Sequence, residues 1–421
     1  MGFKEDFCLR DIELNEKKVM RDCIHDYIHV DHLIIWYLIN SKEVQRLRRI
    51  KQLGGTYQVF QSAEHSRFTH SLGVYQVVLK MLETECLDKA LSDYDKLTVM
   101  CAGLLHDIGH GPFSHSFEGI FHQNHEDMTI EMILHDSEVH QILSDFYEDF
   151  PHDVASIINH THPNRILIQM VSSHLDADRM DYLLRDSYMS GTTYGQFDMS
   201  RILRTMRICD GQIVFKESGV QAIENYILAR YHMYWQVYFH ATARSYEHVL
   251  KAVFRRLKDL YEEGFEFQCD IHYLIPFLKD EVTIDDYIAL DETVVYFYFK
   301  ELVKEEDFIL SDLTSRFLNR KLFKYKKLKD EDELNKIISI AFNLGYDPRY
   351  YVTHDTPQQI PYLHYGQSGE LSEIEIMTSD GLHPLPDCSE IVSAILSSKK
   401  YKSDQKVFFP KEIKEEVMKL K

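Results

Sequence analysis

Apolar residues recur at i, i+3 and i+4 through Leu97, Met100, Cys101, Leu104, Leu105 and Ile108, the rhythm of a helix packed into a core. Ser92 followed by Asp95 supplies a capping box at its start, and Gly109, Gly111 and Pro112 stop it. Comparable patterning predicts helices over about 71–86 and 166–188, and again through the aromatic stretch 225–255. Residues 211–216 read as a short strand after an Asp-Gly turn. The first half is thus expected to be mostly helical. Past about residue 325 the pattern changes. Residues 324–333 are charged and read as a linker or a solvated helix start, and 346–387 mix Pro, Tyr and Gly with alternation such as Ile374-Glu375-Ile376-Met377. A small α+β region is predicted there, with Phe408-Phe409-Pro410 near its end. The expected division is an N-terminal segment over 1–45, a helical body over 46–325 and a smaller α+β region over 326–421.

A chain of 421 residues with 44% hydrophobic and 27% charged residues fits a soluble globular protein larger than one simple core. No stretch approaches the roughly 20 apolar residues needed to cross a bilayer. The acidic residues near the N-terminus do not suit a signal peptide, so a cytoplasmic, membrane-free protein is expected. Seven cysteines without paired spacing (Cys8, Cys23, Cys86, Cys101, Cys209, Cys269 and Cys388) argue against a disulfide framework or a thiolate zinc site. A net charge of −20 argues against a nucleic-acid partner. An anionic small substrate then needs locally concentrated cations, and Arg46, Arg48, Arg49 and Lys51 form one such cluster.

The chemistry concentrates in the same half. Thirteen of the 23 histidines fall between His65 and His174. His70, the adjacent pair His106-Asp107, and Asp178 would supply two imidazoles and two carboxylates, which are costly to bury unless bonded to something. A divalent cation satisfies all four, and the mixed N/O set suits manganese, magnesium, iron, nickel or zinc alike. Such an ion would lower the pKa of a bound water for hydrolysis. Adjacent His-Asp pairs also occur at His25-Asp26, His135-Asp136 and His152-Asp153, so adjacency alone decides nothing. Helical spacing puts His110 one turn beyond His106. It also puts Asp178, Tyr182 and Asp186 on one stripe.

Longer runs carry a resemblance. Gln45-Arg46-Leu47-Arg48-Arg49-Ile50-Lys51-Gln52-Leu53-Gly54, His65-Ser66-Arg67-Phe68-Thr69-His70, Leu105-His106-Asp107-Ile108-Gly109-His110-Gly111-Pro112-Phe113-Ser114-His115 and Asp176-Ala177-Asp178-Arg179-Met180-Asp181-Tyr182 are similar to the HD-domain deoxynucleoside triphosphate triphosphohydrolases, Firmicute members above all. The resemblance runs from about residue 18 to near the C-terminus. It implies a mainly α fold, an HD-domain helical core with a smaller α+β C-terminal region. It also implies hydrolysis of a dNTP to deoxynucleoside and inorganic triphosphate. By motif, His70, His106, Asp107 and Asp178 become metal ligands, and His115 becomes the proton donor to the departing 5′-oxygen. His110 lies beside the α-phosphate, and His125-Glu126 orients the acid and the water. Gln52 and Leu53 match the segment beside the deoxyribose, Tyr182 and Asp186 the sugar-reading pair, and Arg67 and Arg179 phosphate contacts. The stretch from Tyr231 to His240 would supply further pocket walls.

The family implies a homotetramer switched on by nucleotides. Lys18, Val19, Asn40, Gln45 and Arg48 match one activator region, and Arg201, Arg320 and Lys324 a second. Asn40 stands where the human member carries an aspartate that reads guanine, and an amide offers one acceptor and one donor instead of two acceptors. Two other readings stay open on the residues alone: an HD phosphodiesterase or phosphatase acting on another nucleotide, and a nucleotide-sensing regulator with little turnover.

Overall fold

In the computed structural model the described residues are 13–121, 123–355, 373–397 and 405–420. The architecture is mainly α-helical, with a smaller α+β region at the C-terminal end. The chain enters through an antiparallel hairpin, Glu13–Asp22 paired with Asp26–His32, which the helical periodicity of the first half gave no sign of. Ile28 and Val30 of its second strand are buried in the main core, so the hairpin is packed and not merely appended.

Three helices frame the centre. Arg67–Leu82 is buried along most of its length, Asp93–Leu105 packs beside it, and Ala177–Met189 crosses the same helix. The capping box at Ser92 and Asp95 forms as the sequence predicts. Close packing of the first two uses Gly103, where a Cβ would lie 2.9 Å from a Val78 methyl. Several boundaries differ from the periodicity. The helix ends at Leu105 with His106 as its C-cap, because the chain must leave the helix to turn His106 and Asp107 toward one point. The expected 71–86 helix is Arg67–Leu82 followed by Glu85–Ala90. The expected 166–188 helix is two, Arg165–Val171 and Ala177–Met189, since Asp176 caps the second through the backbone N–H of Arg179. The aromatic stretch also breaks: Val220–Met233 passes into a π-helical turn, Tyr234–Tyr238, before His240 caps Ala241–Glu262.

The strand at Gln212–Lys216 forms a hairpin with Met206–Cys209. Asp210 and Gly211 both take positive φ at its turn, as a two-residue primed turn requires. The same strand pairs in parallel with Glu375–Met377, which pairs with Leu382–Pro384. The charged stretch after 323 is a strand, Lys324–Lys327, then a helix from Glu331. That strand and Thr353–Asp355 flank Lys406–Phe409. C-terminal strands are therefore stitched into a sheet begun by the helical body. No helix among the described residues is long and apolar enough to cross a membrane.

Ser92→Ala removes one half of the capping box and should lower the unfolding free energy by about 1 kcal/mol. Urea titration checks this, and an unchanged midpoint would mean that the Asp93–Leu105 helix is held by packing alone.

Candidate metal centre

His70 stands one turn into the Arg67–Leu82 helix, His106 and Asp107 at the end of Asp93–Leu105, and Asp178 in the first turn of Ala177–Met189. Their polar atoms converge. His70 Nε2 lies 3.1 Å from Asp178 Oδ1 and 3.7 Å from Asp107 Oδ2, while His106 Nε2 lies 3.4 Å from Asp107 Oδ1 and 3.6 Å from Asp178 Oδ1. The far side of each ring is tied down. His70 Nδ1 donates to Asp181 Oδ2 at 2.8 Å and His106 Nδ1 to the Gly103 carbonyl at 3.0 Å. Both Nε2 atoms therefore face the carboxylates, and His106 Nε2 is buried with no hydrogen-bond partner. Two inward imidazole nitrogens, two carboxylates and an orphaned buried nitrogen fit a divalent cation.

The electrostatics agree. Burial alone would lower the pKa of His70, but Asp178 and Asp181 push it up to about 10. Burial would raise Asp107 and Asp178, yet His106 with Arg67, and His106 with His70, hold these carboxyls well below the usual range. The carboxylates thus demand positive charge at one point, and a dication supplies what a proton otherwise would.

Beside this cradle lies a second group. His110 Nε2 is 3.3 Å from Asp107 Oδ1, and its Nδ1 is 2.7 Å from Glu118 Oε1. His125 stacks on His110 with centroids 3.8 Å apart and 11° between planes, and its Nδ1 is 3.2 Å from Glu118 Oε2. Burial, then the Arg67 charge, lowers the pKa of His110 to about 3. The carboxylate joining the two imidazoles is Glu118. Glu126, expected from motif to orient the acid and the water together with His125, is exposed at the first turn of His125–Leu134. His110 lies on the turn after the helix and not one turn along it, yet still reaches Asp107. His115 begins the His115–Phe121 helix; its side chain lies outside the described residues.

Of the substrate residues, Arg67 bonds Asp107 and donates to Ser114 Oγ at 2.9 Å, while Arg179 bonds Asp176. The Asp178, Tyr182, Asp186 stripe exists: the Tyr182 ring lies 6.5 Å from His70 and 6.2 Å from Tyr238. Asp186 accepts from Tyr238 OH at 2.5 Å and pairs with His65 Nε2 at 2.8 Å. Sequence alone assigned His65 no role. Gln52 and Leu53 line a cleft of about 890 Å³ with Phe113, Ser114, Tyr238 and Arg244.

The basic cluster is not a free phosphate patch. Arg46, fully buried, donates to the carbonyls of His110 and Leu290, Arg49 pairs with Asp291 and Lys51 with Glu64. Only Arg48 stays outward, over the Phe68 ring at 3.6 Å and bonded to Gln45 at 2.9 Å. Of the other expected activator contacts, Lys18 pairs with Glu16, Val19 is exposed and Asn40 donates to the Trp36 carbonyl. Arg201 donates to Ser218 O and Arg320 to Gln58 O; Lys324 is exposed at a strand end. Arg201 and Arg320 thus bond partners other than those of Lys18, Asn40, Gln45 and Arg48.

The HD domain pattern matches residues 67–186, and the HD associated region matches 197–270. YwfO of Bacillus subtilis is 46% identical over 95% of this chain and 94% of its own length. The deoxynucleoside triphosphate triphosphohydrolase SAMHD1 homolog of Dictyostelium discoideum is 31% identical over 59% of this chain and 52% of its own. A crystal structure of a phosphohydrolase from Bacteroides thetaiotaomicron superposes with a TM-score of 0.80 at 29% identity, covering 93% of this chain and 99% of that one.

Glu292, buried, accepts from the backbone N–H groups of Lys51 at 2.9 Å and Phe113 at 3.4 Å. Burial pushes its carboxyl up to about 7 from 4.5, against those bonds. A raised folded-state value contributes stability that is whole below about 4.5 and is lost as pH climbs through 7. The stability of wild type relative to Glu292→Gln should therefore fall by roughly 2 kcal/mol between pH 5 and pH 8. Urea midpoints at the two pH values check this; a constant difference would refute it.

Proposed function

Since the chain belongs to the HD-domain phosphohydrolase family, a metal-dependent phosphohydrolase fold, we propose that it hydrolyses deoxynucleoside triphosphates to deoxynucleoside and inorganic triphosphate. The observation that carries the substrate is the Ala177–Met189 stripe, where a cradle carboxylate, an aromatic edge and a fixed carboxylate follow at successive turns. A sugar would rest against this stripe, next to where a phosphate would meet the ion. The similarity to relatives such as the Dictyostelium deoxynucleoside triphosphate triphosphohydrolase SAMHD1 homolog supports the same substrate.

His70, His106, Asp107 and Asp178 would hold a manganese, magnesium, iron, nickel or zinc ion, which when bound acidifies water and offsets phosphate charge. The chain's own residues supply the rest. Arg67, fixed by Asp107 and Ser114, presents charge toward the phosphates, as Arg179 does from the Asp176 cap. His110, held between Asp107 and Glu118, would stand beside the α-phosphate. His115 delivers the proton to the departing 5′-oxygen. Tyr182, backed by Tyr238, closes on C2′ of the sugar, so that a ribose hydroxyl would clash or remain unpaired. Asp186, oriented by His65 and Tyr238, accepts from the 3′-hydroxyl. Activating nucleotides at Lys18, Val19, Asn40, Gln45 and Arg48 of one subunit and at Arg201, Arg320 and Lys324 of others would couple activity to a cytoplasmic homotetramer.

Incubation with each dNTP and Mn²⁺ or Mg²⁺ should yield deoxynucleoside and intact triphosphate on anion-exchange chromatography. Orthophosphate as first product, or no turnover in any nucleotide mixture, would sink the proposal. Asp107→Ala should abolish turnover and metal uptake while circular dichroism stays native. Tyr182→Ala should lower the dATP/ATP ratio of kcat/KM by about 10-fold; an unchanged ratio would remove Tyr182 from sugar selection.

A further inference from the structure

The His70 ring is oriented by Asp181, and Asp181 is in turn held by residues of the N-terminal hairpin. Its Oδ2 accepts from His70 Nδ1 at 2.8 Å and from Arg185 Nε at 2.8 Å. Its Oδ1 accepts from Arg185 Nη2 at 2.9 Å and pairs with His25 Nε2 at 2.8 Å. The sense of the last bond is fixed from the other side of the ring. His25 Nδ1 faces the Lys80 ammonium at 3.1 Å, and an ammonium only donates, so Nδ1 accepts and the hydrogen sits on Nε2. Asp181 thus takes four donors, two on each oxygen. Arg185 continues outward to Asp22, Nη1 to Oδ2 at 2.8 Å and Nη2 to Oδ1 at 3.2 Å. Asp22 Oδ1 also accepts from the backbone N–H of Ile24 and His25, at 2.8 and 2.9 Å, which fixes the hairpin turn carrying His25.

These groups are out of water: Asp181 and His70 are fully buried, Arg185 is 1% and His25 7% exposed. The space is made by Gly73, where a Cβ would fall 1.9 Å from Asp181 Oδ1 and 2.4 Å from Arg185 Nη2. A buried carboxylate with saturated oxygens has one orientation; loss of a donor lets it rotate or recruit another. Its only donor shared with the metal cradle is His70 Nδ1–H, the bond that sets ring angle and tautomer.

We infer that Asp22 and His25, on a hairpin more than 40 residues ahead of the first metal ligand in sequence, are positioning residues for the metal centre, acting through Arg185 and Asp181 on His70. The inference rests on the reading of His70 as a ligand. Any partner that shifts the hairpin would change metal affinity without touching the cradle.

The test titrates Mn²⁺ alone into the full-length protein by calorimetry, in wild type, His25→Phe, His25→Gln, Asp22→Asn, His70→Ala and Lys17→Ala. His25→Phe and Asp22→Asn should weaken Mn²⁺ binding by about 10- to 100-fold, with native circular dichroism. His25→Gln, which restores an N–H donor toward Asp181, should recover part of the loss. Lys17→Ala breaks an exposed pair with Asp31 on the same hairpin and should bind as wild type does. Wild-type affinity in His25→Phe and Asp22→Asn overturns the inference. Equal weakening in Lys17→Ala also overturns it, since the effect would then be general loosening. If His25→Phe does not fold, Asp22→Asn decides by the same titration. Wild-type affinity in His70→Ala would refute the metal assignment itself, a separate failure.

Discussion

The constraint on which the rest depends is the cost of keeping buried Asp107 and half-buried Asp178 ionised around the same pair of imidazoles. Isolated carboxylates there would take up protons, because burial penalises the charged form. Both are instead held ionised, by His106, His70 and Arg67 within hydrogen-bonding or ion-pair reach. The three framing helices meet where they do because each delivers one part of that balance. Their ends are spent on it too, which explains why Asp93–Leu105 stops at Leu105 and why Asp176 interrupts what periodicity presents as one helix.

Fixing the outward nitrogen of each imidazole is the second half of the same problem. An imidazole that can flip offers its lone pair only part of the time, and a cation site needs it at one place. For His106 a local backbone carbonyl suffices, because the ring and Gly103 share a helical turn. His70 sits one turn into its helix, and its anchor comes from another element. Asp181 on the crossing helix fills that role. The need to neutralise Asp181 then draws in Arg185, His25 and Asp22, and an unbroken line of charges runs from hairpin to cradle.

What was legible in the sequence follows from this hierarchy. The four candidate ligands were suggested by imidazoles and carboxylates set in apolar surroundings, but it was the resemblance of the surrounding runs to the HD-domain family that singled them out. The Asp178, Tyr182, Asp186 stripe followed from helical periodicity alone. Glu118, Asp181 and His65 carried no such mark, since an acid or a histidine on a helix is ordinary until its partner is known, and their partners lie 7, 111 and 121 residues away. The hairpin was hidden for a different reason. Its strands alternate only weakly, with Ile28 and Val30 the buried positions among polar neighbours, and pairing sets its form more than propensity does. Arg46 shows the converse error. A run of four cations reads as an anion site, but Arg46 is consumed by buried carbonyls and Arg49 and Lys51 by acids.

That use of Arg46 bears on how the site is closed. Its guanidinium joins the carbonyls of His110 and Leu290, and Glu292 joins the N–H groups of Lys51 and Phe113. One donor and one acceptor, a few residues from each other's targets, hold the loops on either side of the cleft to the same helix start. Between them Phe113 and Ser114 adopt positive φ of 61° and 53°, a backbone state that costs non-glycine residues of order 1 kcal/mol or more each. The strain is tolerable because the turn places the Ser114 hydroxyl against Arg67, and Arg67 against Asp107. The loop wall and the charge balance at the cradle are thus parts of one bonded framework, and a change in either is transmitted to Asp107.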